Sequence, residues 1–420
     1  MGGEARDEGR RRFIGGAIAS GAVMAASEAG ATARGAGDAR ITKAAPIGQA
    51  ERLDRIARVQ AGMRAQGIAA LMVEAGSTLT YFTGVQWGRS ERLTGALIPA
   101  EGDVMIVTPG FEEPRVRELL GIPGEVRVWQ EDENPSNVVA GWLRERRLTA
   151  ATLAVEETVR FFAVDGLRAV LPDLRVASGA VLVNAVRMRK TAAEIALMQQ
   201  ATDIMIAAYR DTGPRVAAGM AGVDIVRLMT AALTRLGAGT ASASAQVGEG
   251  SAYPHGSKRP EVVREGSLIL MDCVCTVDGY FADVSRTFVF GSPSRQQRMV
   301  WEQAHRGQEV AFAAARPGAP AGSVDDAVRR YYEGLGYGPG YKTPGLPHRT
   351  GHGIGLDVHE PVNLVHGEAT PLDAGMCFSN EPGIYIPGAF GVRIEDCFHM
   401  TPSGPRYFST PPPSIDDPFG

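Results

Sequence analysis

The sequence predicts an α+β catalytic domain built on antiparallel hairpins and flanked by helices, with a smaller α/β domain ahead of it. Three observations predict this. Strand-like and helix-like segments alternate from residue 51 to about residue 185, the pattern of an open sheet covered by helices. Beyond residue 186, long helical segments separate from two strong hairpin signals, which is the α+β arrangement. The chain has 420 residues, more than one hydrophobic core usually serves, so two domains are expected.

The chain's two ends differ from this body. Arg10, Arg11 and Arg12 precede a weakly apolar Ala/Gly-rich run and the small-residue site Ala31-Thr32-Ala33. These are the three parts of an export signal, in order. Arg10-Arg11 followed by Arg12, Phe13 and Ile14 resembles the twin-arginine type, which carries folded proteins across the bacterial inner membrane. Residues 1–33 are thus read as a signal, 34–50 as a linker, and 409–420, with Pro411-Pro412-Pro413, as a tail. The protein is expected in the periplasm or outside the cell. No apolar run reaches the ~20 residues that span a bilayer, so no membrane anchor is expected after processing.

Composition narrows the function. Hydrophobic residues make up 44%, charged residues 21%, and the net charge is −4 without a basic block. A nucleic-acid partner is not expected. The four cysteines, Cys273, Cys275, Cys377 and Cys397, read as small buried hydrophobes.

In the first domain (51–185), apolar positions Leu53, Ile56, Val59 and Met63 predict a helix that stops at Gly67. The segment IAALMVE reads as a strand and is followed by TLTYFTGV. GALIPA and DVMIVTP read as strands joined by a turn at Glu101-Gly102-Asp103. VRVW, SNVVAGWLRERR and TLAVE read as strand, helix and strand. No glycine-rich phosphate loop or His/Cys cluster occurs here, so no chemistry of its own is assigned. The second domain (186–408) opens with a capping box, Thr191 and Glu194, and a stripe of Ile195, Met198, Thr202 and Met205. VDIVRLMTAALTRLG is a further helix stopped by Gly237, and two more are expected near 297–315 and 323–335.

Two hairpins collect carboxylates. Asp278-Gly279 is a two-residue hairpin signal. Counting outward pairs Val277 with Tyr280, Cys273 with Val284 and Val274 with Asp283. Asp272 and Asp283 then share a face as diagonal neighbours, about 7–8 Å apart at the backbone. In the second hairpin a loop at Pro387-Gly388-Ala389 pairs Ile386 with Phe390 and sets Glu381 opposite Glu395. Like charges so placed destabilise a sheet unless a cation sits between them. A pair of divalent ions would turn both clusters into ligand sets.

A third feature joins them. Three of the seven histidines (His348, His352, His359) lie within HRTGHGIGLDVHEP, threaded by Gly351, Gly353 and Gly355. The glycines disfavour a ligand helix and favour an extended segment passing close to a metal site. One histidine with four carboxylates suits harder ions, manganese first, with cobalt or zinc as alternatives.

Asp272, Asp283, His352 in TGHGIGLDVHEP, Glu381 in NEPGIYIP and Glu395 in GVRIED together resemble the ligand set of the pita-bread metallopeptidases, in the prolidase and aminopeptidase P branch. Residues 51–185 resemble that branch's creatinase-type N-terminal domain. The resemblance implies a curved antiparallel sheet, two bound divalent metal ions, a homodimer, and hydrolysis of Xaa-Pro bonds in dipeptides or at peptide N-termini. It implies metal ligation by Asp272, Asp283, His352, Glu381 and Glu395. It further implies catalytic roles for His255, His359 and Glu381, and substrate contacts for His255, His348, His359 and Arg393. His305, His366 and His399 match no such position. One departure is Val274, where the family commonly has glycine two residues after the first ligand. Two other functions remain open to the sequence: a non-peptidase hydrolase or lyase acting on a small amide, ester or phosphate, and a binding protein without catalysis.

Overall fold

A computed structural model describes residues 41–259 and 261–419. The segment read as an export signal (1–33) and residues 34–40 of the linker lie outside the described residues.

Helix α1 (Gln49–Ala65) ends where Gly67 takes a φ of 65°, the left-handed stop that glycine accepts. Its buried side chains are Arg55, Ile56, Val59 and Met63. Leu53, expected inward, is 43% exposed. The buried stripe runs through Arg55 instead, whose charge is met by Glu51, Glu194 and Tyr280. The end of the linker is not free chain: Ile47 is buried and its N–H donates to Asp278.

Next come β1 (Ala70–Glu74), α2 (Ser77–Thr83), β2 (Gly95–Pro99), β3 (Val104–Pro109), α3 (Glu113–Leu119) and β4 (Gly124–Trp129). They are followed by α4 (Pro135–Glu145), β5 (Thr152–Val155), α5 (Phe161–Val170), β6 (Arg175–Ser178) and α6 (Ala180–Arg187). The strands form one six-stranded sheet in the order β4-β3-β2-β1-β5-β6. It is mixed: β2 runs antiparallel to β1 and β3, and the β3–β4, β1–β5 and β5–β6 pairs are parallel. Strands β1 to β3 are buried at every position because helices cover both faces. Leu71, Val73, Ile98 and Ile106 pack with α1 and α6. Met72, Leu97, Met105 and Val107 pack with α4 and α5. Burial on alternate faces is the period-two signature of strands.

The second half begins with α7 (Ala192–Thr212), whose Thr191–Glu194 capping box is formed. Helix α8 (Gly222–Arg235) and strands β7 (Ala241–Val247), β8 (Leu268–Val277) and β9 (Tyr280–Val289) follow. Helices α9 (Arg295–Ala314) and α10 (Gly322–Gly334) precede β10 (Gly351–Gly353), β11 (Glu360–Leu364), β12 (Cys377–Asn380), β13 (Ile384–Ile386), β14 (Phe390–Val392), β15 (Asp396–Thr401) and β16 (Gly404–Tyr407). All ladders here are antiparallel: β7-β8-β9, β11-β10-β12-β15-β16, and β13-β14. They are tied together where Glu395 N–H donates to Ser285 O at 3.1 Å and Thr287 Oγ1 donates to Arg393 O at 2.8 Å.

Helices α7 and α8 cover the face of β8 that carries Met271, Cys273 and Cys275. Helices α9 and α10 pack with Phe378, Phe398 and Met400 of the larger ladder. Two cores therefore stand behind the hairpins and leave the carboxylate-bearing faces turned toward each other. All four cysteines are free and buried.

The 409–420 segment is not a loose tail. Ile415 is buried, Asp416 pairs with Arg298, and Phe419 packs against Tyr209 and Phe288. Three prolines set its path, but its apolar residues anchor it. Among the described residues no helix is long and apolar enough to cross a membrane.

Candidate metal centre

Strand register brings the acidic residues together. In the β8–β9 hairpin Val274 faces Asp283 and Asp272 faces Ser285. In the second hairpin Ile386 pairs with Phe390, and farther out Asn380 pairs with Asp396. The two ladders share one register, so Glu381 and Glu395 stand opposite each other in the gap between them.

His352 comes from β10, an extended segment as its glycines suggest. A Cβ on Gly351 would lie 2.1 Å from Ser379 O, and one on Gly353 would lie 2.5 Å from Glu360 O. Only glycine lets this strand press between its neighbours. His352 N–H donates to Ser379 Oγ at 3.0 Å, and that hydroxyl reaches Glu381 at 3.3 Å.

The ring orientation of His352 is informative. Nδ1 lies 3.0 Å from Gly353 O; a carbonyl only accepts, so Nδ1 carries the proton and Nε2 presents a lone pair. Nε2 faces Glu381 Oε1 at 3.4 Å and Asp283 Oδ2 at 3.7 Å. Burial holds the imidazole pKa down at about 3, so it is neutral at pH 7. A neutral nitrogen lone pair aimed at carboxylate oxygens is poor hydrogen bonding and good metal ligation.

The carboxylates carry the same message. Donor atoms of Asp283, His352 and Glu395, all buried, lie within 4.8 Å of one another. Burial raises the Asp283 and Glu395 carboxyls well above the ordinary range, and neighbouring carboxylates add to it. Glu381 is pushed up to about 7 by burial, with Asp272 contributing. Asp283 Oδ1 is buried without a hydrogen-bond partner among the described residues. Buried acceptors in this state call for a cation, and the donor set fits a divalent metal.

Asp272 is more open and is turned toward Arg393, whose Nη2 lies 2.6 Å from its Oδ2. The buried Arg393 also donates from Nε to Ser285 Oγ (2.9 Å) and from Nη1 to Tyr385 Oη (2.9 Å). The Ser285 hydroxyl donates in turn to Glu395 Oε2 at 2.6 Å. His348 Nδ1 donates to Arg349 O at 2.8 Å, leaving Nε2 to accept from Tyr385 Oη at 3.1 Å. Arg393, Tyr385 and His348 thus form one chain beside the carboxylates.

His359 is exposed, and its ring centre lies 4.3 Å from that of His352, edge to face. Burial lowers the His348 pKa to about 3 and partial withdrawal from water lowers that of His359, with His255, also exposed, a minor contributor to each. Val274 is half-buried on the Asp272 face. The remaining histidines lie elsewhere: His305 stacks on Trp301, His366 pairs with Asp326, and His399 packs on Phe408.

Sequence reasoning missed Ser285, Ser379 and Tyr385. Ser285 was within reach, because the register that pairs Val274 with Asp283 also puts Ser285 across from Asp272. Ser379 and Tyr385 carried no such signal.

Fold and site together define a metallohydrolase built on antiparallel hairpins. Residues 196–402 match metallopeptidase family M24, and residues 55–189 match the creatinase/prolidase N-terminal domain. A putative dipeptidase, YkvY, of Bacillus subtilis is 30% identical over 84% of this chain and 96% of its own. The Xaa-Pro dipeptidase of Lactobacillus helveticus is 32% identical over 79% and 90%. The crystal structure of dipeptidase PepE from Mycobacterium ulcerans superposes with a TM-score of 0.80 at 30% identity, covering 88% of this chain and 98% of that one. The chain belongs to metallopeptidase family M24, in its pita-bread fold with the creatinase-type domain in front.

Proposed function

We propose that this metallopeptidase hydrolyses Xaa-Pro bonds, with dipeptides its preferred substrates. The carrying observation is the neutral, buried Nε2 of His352 aimed at Asp283 and Glu381, within a family whose relatives include a named Xaa-Pro dipeptidase. Asp272, Asp283, His352, Glu381 and Glu395 would hold two divalent ions, manganese first and cobalt or zinc as alternatives. When bound, these supply an acidified water and a Lewis acid for the scissile carbonyl.

The protein's own groups do the rest. Glu381 takes the proton of the attacking water and returns it to the departing prolyl nitrogen. His359, on the open side of His352, donates a hydrogen bond to the oxyanion that develops on the carbonyl oxygen. His255 and His348 contact substrate from the rim and from the Tyr385 side. Arg393, held by Asp272, Ser285 and Tyr385, fixes the positive edge of the pocket.

Mass spectrometry of products from Ala-Pro and from an Ala-Pro-headed pentapeptide tests the reading. Free alanine and proline from the dipeptide, with the pentapeptide untouched, is the expected result. Alanine released from the pentapeptide would make the enzyme an aminopeptidase, and no cleavage of either would overturn the function.

We further propose a homodimer and export by the twin-arginine route, the latter supported by Arg10–Ile14 and Ala31–Ala33.

A further inference from the structure

Among the described residues the first domain carries no metal-ligating cluster, yet its Ser77, with Arg187 and Lys190 just beyond the domain, reaches the loop that carries His359. Between β10 and β11 the chain crosses residues 354–359 and delivers His359. The two residues that fix this crossing are acidic. Asp357 receives Ser77 Oγ of α2 at 2.6 Å and Arg187 Nη2, at the end of α6, at 2.9 Å. Glu360 receives Arg187 Nη2 at 2.6 Å and Lys190 Nζ at 2.9 Å. Arg187 is itself held by Thr78 Oγ1 at 2.9 Å and Ser77 Oγ at 3.1 Å. Arg187, Lys190 and Glu360 are all buried.

The loop is pressed onto this cluster. A Cβ on Gly355 would meet Lys190 Cε at 2.7 Å and Glu360 Oε1 at 2.8 Å. Asp357 N–H donates to Glu360 Oε1 at 3.1 Å, and Gly355 N–H to Asp357 O at 3.0 Å. Gly355 O accepts from Phe281 N–H of β9 at 2.9 Å, two residues from Asp283. Glu360 pairs in the ladder with Gly353, the neighbour of His352. His359 therefore stands between two anchored acids, with its backbone set relative to His352.

Stability is a weak reason for such a cluster, since well-packed apolar residues often serve as well as a buried ion pair. A fixed geometry is a better reason. Resting on the reading that His359 contacts the reacting carbonyl, we propose that Arg187 and Lys190, with Ser77 of the first domain, are positioning residues. They clamp the 354–360 loop so that His359 stands at the reaction centre.

The test uses the full, metal-loaded enzyme. Arg187→Gln is the strong variant, Ser77→Ala the mild one that keeps every charge, and Arg189→Gln an exposed neighbouring control. Each is made with and without His359→Ala, and kcat, KM, bound metal and hydrogen exchange are measured. The clamp predicts unchanged metal content, faster exchange confined to 354–364, and kcat on Ala-Pro lowered about ten- to a hundredfold by Arg187→Gln. Ser77→Ala is expected to show the same pattern more weakly, and Arg189→Gln none of it. In the His359→Ala background Arg187→Gln should cost less than about twofold, because residues acting through one group are not additive. An equal loss in both backgrounds would assign Arg187 a general structural role and overturn the proposal. So would a loop whose exchange is unaltered in both clamp variants, a readout that needs no substrate. A wild-type enzyme without Xaa-Pro activity sinks the proposed function alone, and loop exchange then still decides whether the clamp exists.

Discussion

His352 and His359 are neighbours in space, yet their surroundings give them different chemistry. The first is buried, neutral and locked by Gly353 O; the second is exposed beside it. Alanine substitutions should therefore fail differently. His352→Ala is expected to lose metal and turnover together. His359→Ala should keep its metal and lose about 10²–10³ in kcat, as for a removed oxyanion donor. His255→Ala should also keep metal, with its defect divided between KM and kcat. Elemental analysis beside kcat distinguishes these outcomes; metal lost equally from His352→Ala and His359→Ala would show that the ligand is misassigned. His352 and His359 stand out in the sequence as imidazoles among glycines, and the acidic residues as carboxylates sharing a strand face, whereas His255 is singled out only by the family resemblance. Tyr385 stands out in neither way: an aromatic on a strand is ordinary until its hydroxyl is seen between Arg393 and His348.

Among the elements, the hairpins were the most legible. Asp278-Gly279 and Pro387-Gly388-Ala389 each fix a loop length, and a loop length fixes every pair outward from it, as the observed registers bear out. Helix faces were read less well. The apolar spacing of α1 places Leu53 on its inner stripe, but burial follows Arg55, whose charge finds partners in α7 and β9 that no local pattern displays. The anchoring of the 354–360 loop was hidden for the same reason, with Arg187 and Glu360 meeting across 173 residues. That ion cluster has a pH signature. Burial would raise the Glu360 carboxyl, but Lys190 and Arg187 bring it down from the ordinary 4.5 to about 2. A depressed carboxyl contributes stability that is complete above its unfolded pKa and is lost as pH falls through its folded value. Glu360→Gln should be less stable than wild type at pH 6. The gap should begin to close below about pH 4.5 and vanish near pH 2. Urea midpoints across that range measure it; a gap unchanged down to pH 3 would contradict the assignment.

For the whole molecule, the described residues from Ile41 onward form one compact unit. The boundary expected near residue 185 falls inside the last turn of α6 rather than in a linker, and Arg187 at the end of that helix, with Lys190 beyond it, pairs with Glu360 of β11, so the segment between the two sheets is also a contact between them. The proposed export route has a direct check. Lysines at Arg10 and Arg11 should leave unprocessed protein in the cytoplasm, and fractionation finding normal shortened protein in the periplasm would refute it. Hydrolysis itself depends on the metal centre. Chelated enzyme is to be titrated with manganese while Ala-Pro hydrolysis and bound metal are followed together. No hydrolysis is expected without metal, and activity should rise with bound metal and level off at two ions per chain. Hydrolysis by the metal-free protein, or saturation without any bound metal, would contradict that dependence.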